Sequence, residues 1–99
     1  MPEPLLTVVA EIHARPGQED ALREALLALI PTTRAEEGCV QYDLHESTDT
    51  PGRFVFYENW VSRAHLDRHL AAPHLEAIKA RFDELLAEPP RILTYTRIG

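Results

Sequence analysis

One cysteine, four glycines, one tryptophan and few bases mark this chain of 99 residues, and each scarcity removes a class of function. Cys39 has no partner for an internal disulfide, which fits a reducing compartment, and a cytoplasmic location is expected. The glycines stand singly in "RPG", "EEGCV" and "TPGR", so no GxGxxG or GxxxxGK[ST] loop is there to cradle a phosphate. Ten Lys and Arg against sixteen Asp and Glu give a net charge of -6, and the bases are scattered rather than clustered. That balance argues against nucleic acid as a partner. No apolar run approaches the roughly 20 residues that span a bilayer, and "MPEPLLTVVAEIHARPG" has no basic stretch before its apolar one. Neither a membrane span nor a secretory leader is expected. What remains, at 44% hydrophobic and 26% charged, reads as an ordinary soluble chain with one domain over residues 1–99.

Periodicity supplies the organisation. Residues 5–14, "LLTVVAEIHA", alternate as a strand and stop at Pro16-Gly17. From residue 18 to 36 the apolar Leu22, Ala25, Leu26, Leu29 and Ile30 recur at three and four, an amphipathic helix that Pro31 should kink and Gly38 should end. Two strands, "CVQYDLHES" and "RFVFYENW", flank "TDTPG" as a hairpin. Ser62 suits the N-cap of a short helix, and Pro73 the first position of another with the stripe Leu75, Ile78, Phe82, Leu85 and Leu86. After Pro89-Pro90, residues 91–98 form a closing strand. Strand, helix, strand, strand, helix, strand is the ferredoxin-like split βαβ order, an α+β fold with a four-stranded antiparallel sheet. Its helices cover one sheet face only. The third strand nevertheless carries apolar residues on both parities, Phe54, Phe56 and Trp60 against Val55 and Tyr57, so a second copy laid sheet to sheet is expected: a homodimer.

Chemistry-bearing residues gather in "YENWVSRAHLDRHLAAPH". Trp60 ends a strand beside a helix start, where it can serve as a core plug or as an aromatic platform. His65 and His69 share a helix face, His74 opens the next helical segment, and Glu58 and Asn59 close the tryptophan's strand. No metal is expected from "HLDRH", which lacks the glutamate of a zincin and has no third ligand at a telling spacing; His65 is expected in solvent. Cys39, before Val40 at a strand start, reads as a small buried hydrophobe. His13 can face solvent or the pocket, and His45 a dimer face or solvent.

With these residues placed, nearly the whole chain resembles the antibiotic biosynthesis monooxygenase (ABM) family, whose members are dimeric α+β barrels and include quinol monooxygenases. The likeness rests on "LTVVAEIHARPGQEDALREAL", on "RAEEGCVQYDLHES" and above all on "FVFYENWVSRAHLDRHLAAPHL", similar to the family's strand, E-x-W, short helix and H-x-x-x-P-H run. It implies oxidation of a small aromatic substrate, a quinol or polyphenol, by dioxygen without flavin, haem or metal. Carried over, Trp60 becomes the wall against which the substrate ring packs and His69 the base or hydrogen-bond partner of the phenol. Glu58, Asn59 and His74 match the family's polar positions, and His13 and Tyr42 are lining from neighbouring strands. Haem-degrading relatives pair the tryptophan with a first-strand asparagine, where this chain has Glu11-Ile12-His13. That departure argues against haem degradation. Two other functions use the same residues: a non-catalytic dimer that binds a small apolar ligand, and an oxygen-independent isomerase.

Overall fold

The computed structural model describes residues 4–99; residues 1–3, part of the stretch read above for a leader, lie outside the described residues. Strand β1 (Leu6–His13) leads through α1 (Glu19–Ala28) and α2 (Ile30–Arg34) to β2 (Cys39–Glu46) and β3 (Arg53–Trp60). Helices α3 (Arg63–Leu70), α4 (Pro73–Lys79) and α5 (Phe82–Leu85) follow, and β4 (Arg91–Thr96) closes the chain. The strands form one sheet in the order β2-β3-β1-β4, every neighbouring pair antiparallel. This is the ferredoxin-like α+β arrangement expected from the element order. Among the described residues no helix is long and apolar enough to cross a membrane.

Both long helical stretches are divided, the first where Pro31 was expected to kink it and the second where no break was expected. The first divides at Leu29, because Pro31 lacks the N–H that would continue the ladder and instead sits in the first turn of a new helix. The second divides after Lys79, and its last turn is pulled onto the end of β1: Arg15 N–H donates to the Leu85 carbonyl, and Ala87 N–H to that of His13, each at 2.8–2.9 Å. No glycine or proline signals that break. Ser62 caps α3 as its position suggests, its Oγ accepting from the His65 N–H at 3.3 Å.

Strand parity decides what each side chain faces. Val8, Ala10, Ile12, Tyr42, Phe54, Phe56 and Trp60 point to the helices and form one core with Leu22, Leu26, Leu66, Leu75, Ile78 and Leu85. Fully burying one such side chain contributes about 1.5–3 kcal/mol. On the other face Val55 is half-buried, and Tyr57 and Tyr95 are 39% and 51% exposed. Only one face of β3 is therefore covered within a single chain, although its sequence carries apolar residues on both.

Candidate functional site

Glu58, Trp60, Tyr42 and His69 meet on the helix side of the sheet. Glu58 and Trp60 are two apart on β3, so they share a face, and the Trp60 Nε1–H donates to Glu58 Oε1 at 2.8 Å. Trp60 is wholly buried, and the His69 ring lies 4.7 Å from its ring centre. Tyr42 enters from β2, opposite Glu58 in register, stacks on Phe56 at 4.4 Å and meets the His69 ring edge-on at 5.4 Å.

His69 is held from behind by a residue that the sequence did not single out. Its Nδ1 lies 2.6 Å from Glu36 Oε2, and the same oxygen is 3.2 Å from His74 Nε2, which also stands 3.1 Å from the Thr33 hydroxyl. Glu36 belongs to the turn after α2, and that turn approaches α3 closely enough that a Cβ on Gly38 would sit 2.3 Å from the His65 ring. Gly38 also has φ +84, the left-handed region that favours glycine. The residue expected only to end a helix thus also sets how near Glu36 comes to His69.

A cavity of about 80 Å³ lies between sheet and helices. Its walls are Val8, Ala10, Tyr42, Phe56, Leu66 and Ile78, with Leu70, Lys79 and Phe82 among the remaining lining, and Glu58 and His69 are its groups able to exchange a proton near neutral pH. Burial drives the Glu58 carboxyl up to about 7; the Trp60 N–H pulls it back down, and the Glu36 charge adds to the rise. Burial likewise pushes His69 below the usual histidine range, against the Glu36 hydrogen bond, which pulls it up. Burial, reinforced by Glu58, drives the Tyr42 hydroxyl well above its ordinary value, so it remains a neutral donor and acceptor. A neutral imidazole and a carboxyl poised near 7, side by side in an apolar chamber, can take and return protons.

Several expected positions fall elsewhere. Trp60 is not part of the chamber wall; it stands behind it, holding Glu58 and packing on His69, because its strand position points it into the closed core. Asn59, one residue from Glu58, points to the open face, where it accepts from Thr7 Oγ1 at 2.6 Å and donates to Gln41 Oε1 at 2.8 Å. His13 has the same open-face parity, and among the described residues its ring approaches Glu88, at 3.7 Å. His74 touches the chamber through Glu36 rather than directly. His65, expected in solvent, is half-buried and 2.7 Å from the Ser62 hydroxyl. Cys39 is half-buried and burial raises its thiol, as suits a packing residue. A broader groove of about 690 Å³ on the open face is lined by Thr7, Gln41, Tyr57, Asn59 and Tyr95 among others, and among the described residues by no imidazole or side-chain carboxylate.

Residues 5–81 match the family described as antibiotic biosynthesis monooxygenase. The chain belongs to the ABM family. Its relatives include Rv0793 of Mycobacterium tuberculosis, 44% identical over 84 residues that cover 85% of this chain and 82% of that one. The probable quinol monooxygenase YgiN of Escherichia coli is 37% identical over 83 residues, 74% of this chain and 80% of its own. In three dimensions the chain is similar to PA3566 from Pseudomonas aeruginosa, with a TM-score of 0.94, 34% identity and coverage of 100% and 99% of the two chains. Membership in the ABM family fits the helix-side chamber: the stretch that carries the family likeness, residues 54–75, supplies Phe56, Glu58, Leu66, His69, Leu70 and Leu75 to its lining.

Proposed function

We propose that this protein is a cofactor-independent monooxygenase that oxidises a quinol or other polyphenolic aromatic with dioxygen in the chamber beside His69. The observation that carries this reading is the 2.6 Å bond between Glu36 and His69, a buried histidine that lines an apolar cavity. With Glu36 ionised, the shared proton sits on Nδ1, and Nε2 is left as an unprotonated acceptor. Such a nitrogen can take a phenolic proton. The phenolate that forms is electron-rich enough to reduce dioxygen itself: one oxygen atom enters the ring, the other leaves as water, and the four electrons come from the substrate. Tyr42 and Phe56 give the ring an aromatic surface to pack on. The apolar walls keep out water that would otherwise compete for the anion.

Size sets a requirement. Pockets for drug-sized ligands run to about 300–1,000 Å³, so a cavity of about 80 Å³ admits dioxygen but no bicyclic ring without movement of its rim. Leu70, Lys79 and Phe82, none of them fully buried, are the side chains that would swing aside. The same small volume is what favours the second reading, a non-catalytic holder of a small apolar ligand.

Dioxygen uptake by chelator-treated protein over a panel of hydroquinones and polycyclic phenols separates the two. Uptake above the autoxidation blank that falls at least tenfold in His69→Ala supports the monooxygenase, a floor set below the about 10²–10⁴-fold that a lost general base typically costs. No uptake, with ligands still raising the melting temperature, supports the holder. Turnover without oxygen would instead indicate an isomerase. The open face, with Tyr57 and Tyr95 exposed on it, supports the further proposal that the working form is a homodimer joined sheet to sheet. Sedimentation that finds only monomer at micromolar concentration would overturn it.

A further inference from the structure

We infer that Glu36, His69 and His74 form a binding site for one divalent first-row transition-metal ion of the zinc class. The three residues come from three separate pieces of chain: the turn after α2, the last turn of α3 and the start of α4. Each offers one ligand atom, and these atoms all lie within 4.8 Å of one another. Both imidazole nitrogens aim at one carboxylate oxygen, His69 Nδ1 at 2.6 Å and His74 Nε2 at 3.2 Å from Glu36 Oε2. An ion held at about 2.0–2.2 Å from imidazole nitrogen and carboxylate oxygen separates its ligand atoms by roughly 3–3.5 Å. The cluster reaches that arrangement by side-chain shifts of about 1 Å, the ion taking the place of the protons that now hold the three groups together.

The donor set selects the metal. Two neutral imidazoles and one carboxylate suit zinc, cobalt, nickel or copper, whereas magnesium and calcium want oxygen throughout. Thr33 stands behind His74, its hydroxyl 3.1 Å from Nε2, as a neutral oxygen able to fill or order a further position. The path in is open, since the Glu36 and His74 side chains are each a little under one-fifth exposed while His69 closes the inner end. Two histidines four apart on a helix are the pattern a sequence search favours, yet His65 is not a member; the pair that converges is His69 with His74.

The site lies outside the chamber, on the side of His69 away from the cavity lining. Occupancy would still change the chamber. An ion on Nδ1 obliges the neutral ring to carry its proton on Nε2, so an acceptor becomes a donor and the proposed base is silenced. This consequence rests on the reading of His69 as a base; the metal site itself does not.

Chelator-treated, buffer-exchanged protein titrated with Co²⁺ in the absence of substrate tests the site. One Co²⁺ per chain with visible ligand-field bands, displaced by one equivalent of Zn²⁺, is the expected result. Affinity measured by calorimetry should fall at least tenfold in Glu36→Gln and in His74→Ala, and stay within twofold in His13→Ala and His45→Ala, which lie on the other sheet face. Far-ultraviolet circular dichroism and a melt check that each variant is folded. His74→Ala, at a position that still reaches solvent, decides the matter if Glu36→Gln does not fold. Absence of the bands at millimolar Co²⁺, or bands that persist unchanged in His74→Ala, would overturn the proposal. Where oxygen uptake has been found, one equivalent of Zn²⁺ should suppress it at least tenfold; where none is found with any quinol, the titration still decides the site.

Discussion

Glu58 and Asn59 are neighbours in the chain and opposites in environment. A strand turns successive side chains to opposite faces, so one carboxyl enters the helix-side chamber while the amide beside it enters the open face. Both are nearly inaccessible in the single chain, at 4% and 9% exposure. Asn59 is engaged there on both its oxygen and its nitrogen, in a ladder of neutral groups that runs from Thr7 through Asn59 to Gln41 across β1, β3 and β2 and ends on the Asp43 carboxylate. Among the described residues Glu58 has one hydrogen-bond donor, Trp60, in a chamber whose walls are mostly apolar. A satisfied neutral amide has nothing to gain from a proton near pH 7. An undersolvated carboxyl does, and this is why proton chemistry is assigned to the helix side and assembly to the open face.

The largest test of that division is kinetic. His69→Ala should lower oxygen uptake by about 10²–10⁴-fold, what general-base catalysis typically contributes, while Asn59→Ala should leave it within twofold. Equal losses would mean that both faces take part, and the comparison would break.

Next is a stability difference that depends on pH. The rise of Glu58 from its ordinary 4.5 to about 7 means that the folded chain holds a proton which the unfolded chain has released across that interval. Folding stability from this group is present below pH 4.5 and is lost as pH climbs through about 7, a total of about 3 kcal/mol. Glu58→Gln keeps an oxygen to accept from Trp60 and cannot ionise. Urea unfolding should find the variant level with the parent near pH 4 and more stable above pH 7. His69 contributes the opposite slope below its ordinary range, but equally to both proteins, so their difference isolates Glu58.

Trp60→Phe sharpens the same point at a smaller scale. It removes the N–H that favours the Glu58 anion and, among the described residues, leaves that buried charge without a donor, at a cost of about 1–3 kcal/mol above pH 7. Glu58 should titrate higher still, which an infrared carboxyl band followed against pH would register. A loss of stability that is the same at pH 5 and pH 8 would mean that Trp60 serves packing alone.

Strand parity and helix stripes carried most of the fold, because burial against one core imposes periods of 2 and 3.6 that any chain must obey. They also placed Glu58 and His69 in one stretch. Contacts made by loops leave no such trace. Glu36 lies 33 residues before His69 and has no periodic signature; its only hint is that it precedes Gly38, the residue whose missing side chain permits the approach. Trp60 was ambiguous for a different reason: a strand-end aromatic reads the same whether it walls a chamber or stands one layer behind it. His13 and Asn59 share odd parity, and giving that parity its full weight would have kept both out of the helix-side chamber.

The smallest effect belongs to the open face. Asn59→Ala removes the middle rung of the ladder and leaves the Thr7 hydroxyl and the Gln41 amide to find water, which both can reach from a partly buried position. The expected loss is about 1 kcal/mol, flat from pH 4 to pH 8 because no group in the rung ionises there. In a sheet-to-sheet dimer those two groups would be sealed from water, and the cost would grow toward the full price of an unpaired buried polar atom. Unfolding Asn59→Ala at several protein concentrations therefore reads both issues at once. A constant 1 kcal/mol means that the face stays wet. A penalty that rises with concentration, as dimer forms, means that a second copy covers it.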